Sequence, residues 1–256
     1  MTGVAVVRRP GPLLADGLVE HIERVPVDLD LALAQWHGYV GALHEAGWRT
    51  VEAPPADDCP DAVFVEDTAV VIGSQAVVTR PARASRRGET AAVATLLADL
   101  GMDLLPIGED ACLEGGDVLK IGDTVYVGRG GRTDAAGIAA LRALMRPLGR
   151  RVVAVPVSTV LHLKSAVTAL PDGTVIGFAP FVDAPTLFER FLPVPEPDGS
   201  AVVDLGEDRL LMSASAPRTA ALLADLGYDV RTVDIGEFEK LEGCVTCLSI
   251  RVRHLR

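Results

Sequence analysis

Apolar residues recur at helical spacing in four stretches of the chain: Leu33, Trp36, Val40 and Leu43; Val93, Leu96, Leu97 and Leu100; Ile138, Leu141 and Met145; and a run after Pro217 through Leu222, Leu223 and Leu226. This spacing predicts four amphipathic helices, the last opened by a proline suited to a first helical turn. Each run closes on a glycine, at Gly47, Gly101, Gly149 and Gly227, and a short Val-rich strand follows. Glycine at that place relieves the left-handed conformation that ends a helix. Pairs of apolar strands are predicted at 62–72 and 76–79, 117–121 and 124–127, 165–170 and 174–178, and 201–204 and 209–213. Turns such as Gly122-Asp123 and Asp172-Gly173 join them, which is hairpin chemistry.

The repeating unit is therefore strand, strand, helix, strand, about 45 residues long, an α/β architecture. Five units are counted, the last split: residues 241–253 supply its first strands, and residues 3–8 with the first helix supply the rest. A split unit joins both chain ends and closes a ring without an exposed edge strand. The weakest unit spans 178–198, where Pro180, Pro185, Pro193, Pro195 and Pro197 leave room for only a short helix. No linker, low-complexity tract or charge run divides the chain, so 1–256 is expected to be one domain.

Composition narrows the function. Formal net charge is −11, from 35 acidic against 24 basic residues, which argues against a nucleic-acid partner, because phosphate binding needs a basic face. A small cationic substrate fits the sign better. With 49% hydrophobic and 23% charged residues the chain reads as an ordered globular protein. No apolar run approaches the ~20 residues of a membrane span, and the first ten residues lack the pattern of an export signal. A cytoplasmic protein without membrane association is expected. Cys59, Cys112, Cys244 and Cys247 are too few and scattered for a disulfide framework, so they are read as reduced.

The candidate chemistry follows the repeat. Glu66, Glu114 and His162 are spaced at equal intervals of 48 residues, and Cys247 lies 85 beyond, about two further steps. Residues at one place in successive units face a common centre. Cys247, near a predicted strand in GCVTCLSIRV, is either a small core residue or a nucleophile, and the second role needs a proton carrier. His162 is the candidate partner; His21, His37 and His44, around the first helix, and His254, near the C-terminus, read as solvated or packing residues. Glu114 precedes Gly115 and Gly116, which lets its carboxylate approach an imidazole closely; the alternative is a turn acid before a strand. Asp61, Glu66 and Asp67 bunch beside an apolar strand, as a solvated strand end or as a group that grips a cation; a planar guanidinium matches such a group. Arg86 and Arg132, near the starts of successive helices, are surface charges or a clamp for a substrate carboxylate.

Two motifs are weighed and set aside. Cys244 and Cys247 form a C-x-x-C without a second pair at metal spacing and without a following helix start. Gly128-Arg129-Gly130-Gly131 precedes a helix, but Thr133 replaces the third glycine of a dinucleotide loop.

Seven strings in order along the chain resemble the dimethylarginine dimethylaminohydrolase family of the guanidino-modifying pentein superfamily. They are PLLADGL (12–18), PDAVFVEDTAVV (60–71), VTRPARASRRGE (78–89), LEGGDVL (113–119), the residues around Arg132, LHLKSAV (161–167) and EKLEGCVTCLS (239–249). The resemblance implies a five-bladed α/β propeller, with Cys247 as nucleophile, His162 as proton carrier and Glu114 as its orienting acid. It also implies that Asp61, Glu66 and Asp67 grip the guanidinium, Arg86 and Arg132 hold the α-carboxylate, and Leu18, on a mobile lid, and Leu241 complete the substrate pocket. The implied reaction converts methylated arginine to citrulline and an amine without metal or cofactor, in a monomer or homodimer. Cys244 departs from the family pattern, which has an apolar residue or glycine there. The alternatives are an arginine deiminase or amidinotransferase of the same superfamily, a propeller-like binding scaffold, and a thiol redox protein.

Overall fold

Gly47, Gly101, Gly149 and Gly227 all sit at positive φ (85°, 83°, 69° and 98°), each at the point where a helix ends and the chain turns into a strand. Only glycine takes this conformation without a Cβ penalty, so the punctuation read from the sequence is structural. Residues 3–253 are described by this computed structural model; His254 lies outside them.

Among the described residues fifteen strands are formed: β1 (Val4–Val7), β2 (Arg49–Glu52), β3 (Ala69–Ile72), β4 (Gln75–Val78), β5 (Asp103–Pro106), β6 (Val118–Ile121), β7 (Thr124–Arg129), β8 (Arg151–Pro156), β9 (Val167–Ala169), β10 (Val175–Gly177), β11 (Phe191–Pro193), β12 (Val202–Gly206), β13 (Arg209–Ser213), β14 (Asp229–Val233) and β15 (Ile250–Val252). They make five three-stranded sheets of one topology. In each, the first strand is antiparallel to the second and the second is parallel to the third, as in β3-β4-β5 and β6-β7-β8. The split unit holds as well: β15 pairs antiparallel with β1, and β1 pairs parallel with β2, so the two ends of the chain share one sheet.

A parallel pair needs a crossover, and helices α1 (Leu29–Glu45), α2 (Thr90–Asp99) and α3 (Ala135–Met145) supply three of them. In the proline-rich unit two 3-10 turns at Ala179–Phe181 and Pro185–Leu187 replace the helix. A short helix, α4 (Leu163–Ala166), precedes β9; α5 (Pro217–Asp225) is the remaining crossover, and α6 (Gly236–Glu239) follows β14.

Several boundaries differ from the periodicity reading. The first helix buries Ala32, Gln35, Trp36, Tyr39 and Leu43, while Leu33 and Val40 are half-buried at the edge of that face. Leu226 lies past the end of α5 and is 54% exposed. Residues 62–68 are not strand but a turn running into a 3-10 helix, Val65–Thr68, and β15 begins only at Ile250. These apolar stretches are buried by packing between sheets, and burial alone does not distinguish a strand from a tight helical turn.

That difference positions the site. A short helical turn stands at the head of the first strand in four sheets: Val65–Thr68, Gly115–Asp117, Leu163–Ala166 and Pro197–Ser200. In the fifth, residues 245–248 form a turn just before β15. Glu66 and Asp67, Glu114, His162 and Cys247 all occupy these heads, and only Pro197–Ser200 contributes no candidate.

Candidate active site

The heads are pressed together where side chains have been given up. A Cβ on Gly115 would lie 2.0 Å from the Glu66 carbonyl oxygen, and one on Gly116 would lie 2.7 Å from both Asp67 Oδ1 and the His162 ring. No ordinary residue fits either position. In place of a side chain, the backbone N–H of Gly116 donates to Asp67 Oδ1 at 2.8 Å. Asp117, the next residue, holds the following turn: its carboxylate accepts from Leu163 N (2.9 Å) and Thr133 Oγ1 (2.6 Å), and so anchors the segment that carries His162. Burial pushes the Asp117 carboxyl up to about 6.

His162 Nε2 and Glu114 Oε2 are 2.8 Å apart, with Asp67 Oδ1 3.8 Å from the same nitrogen. Burial works against charge on this imidazole, but Asp67 and then the Glu114 hydrogen bond outweigh it and raise the group to about 9. The ring is thus a cation at neutral pH, and Asp67 is held as a carboxylate well below its usual range despite its burial, by His162 and Arg86. Asp67, Glu114 and His162 have ligand atoms within 4.8 Å of one another, and these atoms are engaged with one another and with Arg86.

Cys247 is 6% exposed and sits in a reverse turn, its N–H donating to the Cys244 carbonyl at 3.0 Å. Its sulfur is 3.3 Å from that of Cys244. Sharing a proton with Cys244, followed by burial and the nearby Glu66 and Asp67 charges, pushes the Cys247 thiol up.

A pocket brings together Cys247, His162, Asp61, Asp67, Arg132 and Leu18, with Leu241 and Phe64 on its apolar side. Asp61 Oδ1 accepts from the Leu18 backbone N–H at 2.9 Å, and burial raises its carboxyl. A Cβ on Gly17 would meet Asp61 Oδ1 and Leu241 Cδ1, each at 3.2 Å, so glycine lets this segment close down on them. Arg132 is 2% exposed; its Nη2 donates to Glu20 Oε1 at 3.2 Å, while Nε and Nη1 are buried without a hydrogen-bond partner, Nη1 standing 3.5 Å from Glu114 Oε2 as an ion pair. Glu20 Oε1 also accepts from Arg83 Nε at 2.9 Å.

Two residues expected together in the pocket are placed otherwise. The Glu66 carboxylate pairs with Lys164 Nζ (2.5 Å) and Arg251 Nη2 (3.4 Å) and lines a second cavity. Neighbours on a 3-10 turn point about 120° apart, so Glu66 and Asp67 serve different sides. Arg86 reaches the pocket wall, but Nε and Nη2 bind Glu89 (3.0 and 2.9 Å) and Nη1 binds Asp67 Oδ2 at 2.7 Å. It is a buried counter-ion of these carboxylates, leaving Arg132 as the pocket arginine whose Nε and Nη1 make no hydrogen bond. Asp117, Glu89, Thr133 and Glu20 were not singled out from the sequence. Only Asp117 carried a signal, as the acid of LEGGDVL that stands 50 residues after Asp67.

A family model described as arginine deiminase matches residues 53–208. A curated N(G),N(G)-dimethylarginine dimethylaminohydrolase of Streptomyces coelicolor is 66% identical over 251 residues, covering 98% of this chain and 97% of the relative. Among solved structures, a DDAH from Pseudomonas aeruginosa, a cysteine-to-serine variant in complex with citrulline, matches with a TM-score of 0.91 at 31% identity over 98% of this chain and 100% of that one. A dimethylarginine dimethylaminohydrolase with a histidine-to-glycine change, present as its adduct with S-methyl-L-thiocitrulline, gives the same TM-score, identity and coverage.

Proposed function

The chain belongs to the dimethylarginine dimethylaminohydrolase family, and on that premise we propose that it hydrolyses Nω-methylated arginine to citrulline and methylamine or dimethylamine through a covalent intermediate on Cys247. The observation that carries this reading is the convergence of one thiol, one protonated imidazole, two carboxylates and an arginine with two donors outside any hydrogen bond on a single small pocket.

The chemistry follows from the charges. Asp61 and Asp67 face the pocket and attract a guanidinium. Bound there, that cation offsets the carboxylates that keep Cys247 neutral, so the thiol releases its proton to solvent as substrate arrives. The Arg132 donors match the α-carboxylate, which would take the place of Glu20. Leu18 and Leu241 close over the aliphatic stem.

The thiolate attacks the guanidinium carbon, held in line by the acids. His162 gives its proton to the departing amine, the C–N bond breaks, and a thiouronium remains on Cys247. The neutral imidazole then takes a proton from water, whose oxygen attacks the same carbon; the C–S bond breaks and citrulline leaves. Glu114 acts through His162 and is a positioning residue. All these groups come from one chain, and we assign the activity to a single domain.

The match to a model described as arginine deiminase keeps deimination of free arginine as the second reading. Incubation with asymmetric dimethylarginine, monomethylarginine and arginine, with the amine identified, separates the two. Dimethylamine and methylamine are expected; ammonia from arginine as the preferred product would favour the deiminase.

A further inference from the structure

Cys244 has no part in the mechanism above, yet its sulfur is 3.3 Å from that of Cys247. A disulfide is about 2.05 Å long, so the two atoms need to close by little more than one ångström. The intervening backbone already makes a reverse turn, Cys247 N to Cys244 O at 3.0 Å, and the Cys244 N–H points to Cys247 Sγ at 3.5 Å. Val245 and Leu248 anchor this turn in the core with no exposure, so the sulfurs are held as neighbours. Cys244 itself is only half-buried, and its sulfur lies 3.2 Å from Thr246 Oγ1. All four cysteines are free thiols.

We propose that Cys244 is a resolving cysteine that captures oxidised Cys247 as a reversible disulfide and so makes the nucleophile a redox-controlled modification site. The inference concerns regulation of the same site and rests on the reading of Cys247 as nucleophile. A hydroperoxide is the oxidant. The Cys247 thiol gives its proton to solvent and its sulfur attacks the peroxide; the O–O bond breaks, and after proton uptake by the leaving oxygen a sulfenic acid and water, or an alcohol, are formed. The Cys244 sulfur then attacks the Cys247 sulfur; the S–S bond forms, the S–O bond breaks, and hydroxide leaves with the Cys244 proton as water. Two electrons pass from the two sulfurs to the peroxide. A small dithiol reverses the state by attack on Cys244, the half-buried residue of the pair, releasing Cys247 as thiolate while the dithiol is oxidised to its own disulfide. The pair is shielded from the irreversible sulfinic step, and catalysis stops without loss of the protein.

The test uses the full chain, wild type and Cys244→Ser, reduced and then exposed to hydrogen peroxide, trapped with a maleimide and digested with trypsin. Residues Leu241–Arg251 fall in one tryptic peptide, between Lys240 and Arg251. In wild type this peptide should lose two hydrogens and carry no maleimide, and dithiothreitol should restore activity. In Cys244→Ser it should gain two oxygens, and dithiothreitol should recover at least about ten times less activity. A wild-type peptide oxidised at Cys247 with Cys244 still alkylated would overturn the proposal, as would equal recovery in the variant. The peptide readout does not depend on turnover, so reduced protein that hydrolyses no guanidine would remove the catalytic reading alone.

Discussion

His162 Nε2 donates to Glu114 Oε2 at 2.8 Å across 48 residues of sequence, each from the head of the first strand in its own sheet. The bond fixes the ring and, with Asp67, keeps its proton to about pH 9.

A pH profile follows from that proton. In the proposed mechanism the imidazolium delivers it to the leaving amine, so the rate should fall as pH rises through about 9. Glu114→Gln removes one of the three anions, Asp67, Glu114 and Asp117, that hold it, and the alkaline limb should move to lower pH, which a kcat profile of both proteins reads. Stability has the same sign. The folded pKa lies above the unfolded value of about 6.5, so the contribution, on the order of 3 kcal/mol, is fully present below that value and lost as pH rises through about 9. Thermal melts between neutral and alkaline pH would show it.

Gly116→Ala places a methyl 2.7 Å from the His162 ring and from Asp67 Oδ1. One of the two must move. We expect kcat to drop by about 100-fold or more with a stability loss of about 1–3 kcal/mol. Normal turnover by a folded variant would show that the two heads are not held in this register.

Adjacent acids should separate by function. Asp67→Asn keeps the shape but removes the pocket charge, and KM should rise by about 30-fold or more. Glu66→Gln leaves that charge in place and takes the counter-ion from Lys164 and Arg251; Tm should fall with KM within about threefold of wild type. Equal KM effects would return Glu66 to the guanidinium grip.

Arg132→Met removes the Nε and Nη1 donors that make no hydrogen bond within the protein, and with them the 3.5 Å ion pair to Glu114. Substrate with an α-carboxylate should bind about 30-fold more weakly or worse, while a methylguanidine lacking the carboxylate should bind nearly as before. A uniform loss across both compounds would mean that the arginine supports the pocket rather than reading the carboxylate.

What the chain alone determined is local. The spacing of Ile138, Leu141 and Met145 is a property of one helix, and the glycines at 47, 101, 149 and 227 report their own backbone angle, so the five repeated units were legible without coordinates. The interval from Glu114 to His162 was legible too, because a repeat brings equal positions to equal places. Tertiary structure decided direction and company. Whether Glu66 or Asp67 faces the pocket depends on the rotation of a 3-10 turn, which leaves no trace in a run of apolar residues and acids. That Arg86 is consumed by Glu89 and Asp67, or that Asp117 holds the turn bearing His162, depends on segments folded against one another at distances no periodicity encodes. A side chain's type sets what it can do, and only packing sets which neighbours share its field.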